Sequence, residues 1–290
     1  MSQPILRHIV NLWSMVHYPS ADREWSLAEK LRAAKSAGFD GYTTRMQPEH
    51  ARLAKKLGLI QVGYFSTSDA GKFAELCAEQ RKAGARTINV QLADDDTPVP
   101  VSVGLALLLL QEGQRQDLDI SIEVHRDTCT ETPEKTYAIA EAYQQITGKL
   151  MPLTWDFSHL SVVKHLGPSN YIQRLLTRPD LIQRANQLHL RPFNGHHCQV
   201  PVTDGRGNLT RELQEWLPFA EALLKMWLDG NRDTGRELYV VPEMGPAMSG
   251  YNFSVLPNSW EDAQVLRVEI DRIWQRLTKP TTKTTRKKKS

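Results

Sequence analysis

Eight short runs rich in β-branched and aromatic residues recur along the chain, near residues 7–13, 39–44, 60–65, 87–92, 118–124, 151–156, 186–191 and 238–243. A helical pattern follows each of them. Such alternation forces parallel strands joined by crossover helices, which leaves an open doubly wound sheet or a closed barrel. Eight units in 290 residues favour a (β/α)8 TIM barrel, for which about 250 residues suffice in one domain. A nucleotide-binding doubly wound sheet is further disfavoured because Trp13-Ser14-Met15-Val16 stands after the first run, where a glycine-rich phosphate turn belongs. The spacing predicts helices over 26–37, with Ser26 as cap and Gly38 as stop, and near 69–83, 99–115, 169–184, 209–228 and 259–277. Two more begin near Pro48 and Pro133, prolines suited to a first helical turn.

Charge bounds the partners. The net charge is +3, yet Lys279, Lys283, Arg286, Lys287, Lys288 and Lys289 fall in the last twelve residues, so the rest of the chain is mildly acidic. That argues against nucleic acid, whose phosphates need a field of Lys and Arg. The expected organisation is a barrel over 1–277 and a basic, disordered tail over 278–290. Cys77, Cys129 and Cys198 form no CxxC pair and no disulfide framework, which points to the cytoplasm. No cationic and apolar leader opens the sequence, and the longest apolar run, Leu105 to Leu110, is too short to span a membrane.

The last four strand runs each end in a hard metal ligand: Glu123 in Ser-Ile-Glu-Val-His, Asp156 in Leu-Thr-Trp-Asp-Phe, His189 in Gln-Leu-His-Leu-Arg, and Glu243 in Val-Val-Pro-Glu-Met. The C-terminal ends of barrel strands converge on one mouth, and spacings of 33, 33 and 54 residues place the four in consecutive units. Any one of these acids could be a helix cap or a loop ion-pair partner. Three carboxylates buried together are costly without a cation, so the joint reading is a site for one divalent ion. Oxygen-rich ligation favours Mn2+, Mg2+ or Co2+ and leaves Zn2+ open.

This order of Glu, Asp, His and Glu, with a D-x-x-H step at Asp156-Phe-Ser-His159, resembles the xylose-isomerase-like TIM-barrel superfamily of sugar isomerases and epimerases, which includes the AP endonuclease (endonuclease IV) branch. The resemblance is close from the fifth strand to the eighth and only architectural before that. It implies that Glu123, Asp156, His189 and Glu243 hold the metal and that Glu123 and Glu243 also exchange the proton. It further implies substrate contacts for His159 and Arg191, although Arg191 stands closer to His189 than the matching arginine of the sugar 3-epimerase branch does to its histidine.

The chemistry expected is proton abstraction beside a carbonyl through a metal-stabilised enediolate, acting on an open-chain sugar or sugar derivative. Return to the other face would epimerise, return to the neighbouring carbon would isomerise, and loss of a leaving group would make a lyase or dehydratase of a keto-sugar or inosose. An endonuclease IV-like phosphodiesterase fits less well, because strands two to four offer Arg45, Tyr64, Ser66, Asn89 and Gln91 where a zinc cluster needs His and acid. His125 and Arg191 share the strand phase of the ligands and are substrate candidates, whereas Arg126 is out of phase. Trp13, Trp155 and Tyr64 could stack on a sugar or merely pack. His17, His196 and His197 read as loop residues, and self-association into a homo-oligomer is left open.

Overall fold

All eight runs fold as strands in a computed structural model that describes residues 2–279. They are β1 (Ile5–Asn11), β2 (Gly41–Thr44), β3 (Ile60–Thr67), β4 (Thr87–Leu92), β5 (Asp119–Val124), β6 (Leu153–Asp156), β7 (Gln187–His189) and β8 (Glu237–Val241). Each pairs in parallel with its neighbours in sequence, and β8 returns to β1, so the sheet closes as a (β/α)8 barrel with no free edge. Around it run α1 (Leu27–Ser36), α2 (Pro48–Leu57), α3 (Phe73–Lys82), α4 (Val99–Arg115), α5 (Pro133–Thr147), α6 (Phe157–Val163), α7 (Tyr171–Leu175), α8 (Pro179–Arg184), α9 (Arg211–Asn231) and α10 (Ser259–Thr278). None of these helices is long and apolar enough to cross a membrane.

The helix signals act through the chemistry that predicts them. Ser26 and Glu29 form a reciprocal capping box at the start of α1, and Thr132 accepts from the Lys135 amide ahead of Pro133. Between helices and barrel lies the main apolar core, in which Trp155, Trp216 and Trp227 are fully buried. Close approach of strands is met by glycine: a Cβ on Gly41 would stand 2.4 Å from the Ile60 carbonyl oxygen of β3.

Alternation sends every second strand residue into the barrel. One inward layer is apolar under β8, β1 and β3, where Val241, Ile9 and Val62 cluster. Under β5 and β6 the layer is polar, with the Ser121 and Thr154 hydroxyls 2.6 Å apart. The next inward residues, toward the C-terminal ends of the strands, form the mouth.

Two expectations change. The helix expected over 169–184 is broken into α7 and α8, because Pro179 lacks an amide donor and Arg178 before it is held extended. The D-x-x-H segment, read as strand exit, begins α6 directly, with Asp156 as its cap. Strand ends are also shorter than expected: Leu12–Met15 is a 3-10 turn, β7 stops at His189, and Pro242 follows the end of β8. Thr278 ends α10 and Lys279 follows it, and the rest of the basic tail expected over 278–290 lies outside the described residues.

Candidate metal centre

The register of the last four strands brings the four predicted ligands to one point. Asp156 pairs with His189 across β6 and β7, Glu123 enters from β5, and Glu243 follows Pro242 just beyond β8. One donor atom from each lies within 4.8 Å of the others, and all four residues are buried. His189 Nδ1 is 2.9 Å from Glu123 Oε1 and 2.9 Å from Glu243 Oε2, yet it is aligned for a hydrogen bond to neither. Asp156 divides its duties: Oδ1 accepts from the Ser158 amide at 2.9 Å and caps α6, while Oδ2 turns inward without a hydrogen bond. The cap reading and the ligand reading of this aspartate therefore hold together.

Neutral amides from the opposite half of the barrel orient the glutamates. Asn89 and Gln91 of β4 donate to Glu123 Oε2 at 2.7 and 3.0 Å, and Gln91 in turn accepts from the Tyr64 hydroxyl at 2.8 Å. Asn11 of β1 donates to Glu243 Oε1 at 2.7 Å. In each glutamate one oxygen is fixed by amides and the other faces His189. None of these amides was assigned a role from sequence, because an Asn or Gln near a strand end carries no spacing signal of its own.

Two cations balance the acids. Arg191, fully buried, places Nη2 2.7 Å from Glu243 Oε2 and 3.2 Å from Asp156 Oδ2. Burial alone would push all three carboxyls up, but the charge of His189 holds Glu123 below its usual range, and His189 with Arg191 holds Glu243 well below. Arg191 and His159 do the same for Asp156. Burial opposes protonation of His189, yet Glu243 and Glu123 keep its imidazole pKa well above the ordinary value. His159 is the contrary case: burial outweighs the pull of Asp156 and lowers its pKa to about 4.

The donor set fits a hard divalent ion. Replacing the His189 proton by such an ion would leave three carboxylates, one guanidinium and the ion electrically neutral. Gln187 is placed to set the tautomer: its Nε2 lies 2.8 Å from His189 Nε2, while its Oε1 has no partner. A half-turn of that amide would let Oε1 accept from Nε2–H and leave Nδ1 as a lone pair toward the site.

The group opens into a cavity of about 460 Å³. Trp13, His125 and Arg191 line it, as does Tyr64. Tyr251, from the segment after β8, meets Trp13 edge to face at 5.0 Å and covers the Arg191 guanidinium at 4.4 Å. Gly245 permits that packing, since a Cβ there would lie 2.5 Å from the Trp13 ring. His159 stands behind this wall: its Nε2 is 3.3 Å from Asp156 Oδ2 and its ring packs 4.0 Å from that of His125. Trp155 points outward and stacks on Phe157 at 4.9 Å, so it packs. Arg126 is exposed and lies over the Tyr251 ring at 4.7 Å, while His17, His196 and His197 are exposed outside the cavity.

No protein family matches the chain by sequence pattern, and no curated protein matches it by sequence. Solved structures do match. A xylose isomerase-like TIM barrel/4-hydroxyphenylpyruvate dioxygenase fusion protein aligns over 96% of this chain at 14% identity with a TM-score of 0.59, and the chain spans 46% of that protein. D-allulose 3-epimerase from Methylomonas sp., solved with D-allulose, aligns over 95% of this chain and 99% of its own at 16% identity and a TM-score of 0.58. A xylose isomerase-like TIM barrel protein from Mycobacterium smegmatis in complex with magnesium aligns over 95% and 97%, at 14% identity and a TM-score of 0.56. At these identities the likeness establishes the fold, which is that of the xylose isomerase-like barrels.

Proposed function

We propose that this xylose isomerase-like barrel is a divalent-metal-dependent sugar isomerase or epimerase that moves a proton on the carbon beside a carbonyl. The observation that carries the reading is the buried convergence of Glu123, Asp156, His189 and Glu243 at the cavity floor. The comparison with D-allulose 3-epimerase, solved with its sugar, and with a magnesium-bound barrel of the same fold supports it. The three cysteines are all unpaired, which supports a cytoplasmic site of action.

Bound by the four ligands, a divalent ion would supply a Lewis acid for the substrate carbonyl. The chain supplies the rest. Glu123 and Glu243 stand at the two ends of the β5–β8 arc, so either carboxylate can take a proton from one face of a sugar carbon and the other can return one. The Asn89–Gln91 pair and Asn11 keep one oxygen of each glutamate occupied and the other free for that transfer. Trp13 and Tyr64 give the sugar apolar surface, and His125 offers a ring nitrogen on the cavity wall. Arg191 holds Asp156 and Glu243 ionised, and His159 holds Asp156 from behind.

The test is solvent exchange. With Mn2+ present, the protein is expected to incorporate deuterium from D2O at the carbon beside the carbonyl of a ketose such as D-fructose or D-allulose. Glu123→Gln and Glu243→Gln are expected to abolish it. Exchange that persists in both variants would reject the assignment, and the product distinguishes the outcomes, since release of water or an alcohol would make the same site a lyase.

A further inference from the structure

The proposed proton transfer uses one arc of the mouth and leaves the facing wall unassigned. In the closed strand order, β2 and β3 lie across the barrel from the β5–β8 arc. On the walls between, the polar groups are already engaged: Asn11 with Glu243, Asn89 and Gln91 with Glu123, and Tyr64 with Gln91. The exit of β2 differs. Thr43, Thr44 and Arg45 line the cavity, and among the described residues Arg45 meets one acid, Glu79, at 3.5 Å between side chains that are 58% and 48% exposed. So open a pair holds its arginine weakly. Arg191, by contrast, has its charge taken up by Asp156 and Glu243.

A second observation points the same way. Beside Arg45 the cavity continues into a hollow of about 380 Å³ that shares Trp13, Thr44 and Arg45 with it and adds Lys30. No acid lines that hollow, and the acids lining the main cavity are Glu123 and Glu243 on the far arc. The two ends of the continuous space therefore differ in sign: acids that suit a cation at one end, and unneutralised cationic side chains at the other.

We infer that Arg45, with the Thr43 and Thr44 hydroxyls and with Lys30 behind it, forms an anion-accepting subsite, so that the substrate is a sugar derivative bearing a carboxylate or a phosphate at the end remote from the reacting carbons. The inference rests on the proposed reaction for what occupies the opposite end. A guanidinium can hold either group through paired N–H donors, and a threonine hydroxyl can add a third. A neutral sugar would leave the guanidinium without a counter-charge.

The experiment is calorimetric titration of the full chain, with Mn2+ and with EDTA, using D-glucuronate, D-fructose 6-phosphate and D-fructose as probes. At least one acidic probe is expected to bind about 10-fold or more tightly than D-fructose, a preference that weakens as salt is raised. Whichever acid prevails identifies the group as carboxylate or phosphate. Arg45→Gln is expected to erase the preference while leaving D-fructose within about two-fold, and Arg45→Lys to retain part of it. Equal binding of all three probes, or a preference that survives Arg45→Gln, would overturn the subsite. Solvent exchange on the same samples separates the two ideas. Charge preference without exchange rejects the proton-transfer reading alone, and exchange without charge preference rejects the subsite alone.

Discussion

The two halves of the barrel mouth are built from opposite chemistry. From β5 to β8 the inward strand ends are Glu123, Asp156, His189 and Glu243, all ionic; from β1 to β4 they include Asn11, Thr43, Tyr64 and Gln91, all neutral. The contrast continues one layer below, where Ser121, Thr154 and Gln187 underlie the ionic half and Ile9 and Val62 the neutral one. Three buried carboxylates repel one another, and amides donated from the neutral half fix their geometry without adding charge. One half thus carries the charge and the other aims it.

The sharpest way to break that division is to neutralise one glutamate at a time. Glu123→Gln or Glu243→Gln keeps the shape and removes the proton acceptor, and solvent exchange is expected to fall by about 1,000-fold or more. A fall no larger than that caused by an amide variant would mean that the halves do not divide the work. Acid should reveal the ionic half next. The fold accepts His159 as neutral imidazole with a pKa of about 4, against 6.5 ordinarily, so the unfolded chain takes up the proton first. The stabilisation is complete above about pH 6.5 and is lost as pH falls toward about 4, on the order of 3 kcal/mol for this group. Urea midpoints at pH 7 and pH 4.5 check it, and His159→Gln should flatten the difference. Buried His8 and His50, also lowered by burial, act in the same sense.

Amide variants test the aiming half. Asn89→Ala leaves Glu123 with Gln91 as its amide donor, and kcat should drop roughly 10-fold with KM nearly unchanged, because position rather than binding is lost. Smallest of all is the surface control. Arg211→Ala breaks the exposed ion pair with Glu215 on α9 and should change stability by less than about 0.5 kcal/mol and activity not at all.

How far this was legible in the sequence follows the same division. Strand periodicity and strand-end acids are local signals, so the barrel, α4 over Val99–Arg115 and all four members of the metal group could be read directly. The break at Pro179 was visible as a residue but was overridden by the apolar pattern on either side of it. The start of α6 was hidden because Asp156 serves as strand end, helix cap and site residue at once. Asn11, Asn89 and Gln91 escaped because their role depends on which carboxylate lies across the barrel, at separations of 232, 34 and 32 residues. Tyr251 escaped because it reaches the cavity from a segment with no regular period.

The central claim is that four side chains from four consecutive strands hold one divalent ion. Titrating the EDTA-stripped full chain with Mn2+, by calorimetry alongside the electron paramagnetic resonance signal of free Mn2+, tests it most directly. The account predicts one saturable ion per chain, with affinity reduced about 100-fold or more in His189→Ala and in Asp156→Ala. An absence of saturable binding, or binding undiminished in both variants, would contradict it.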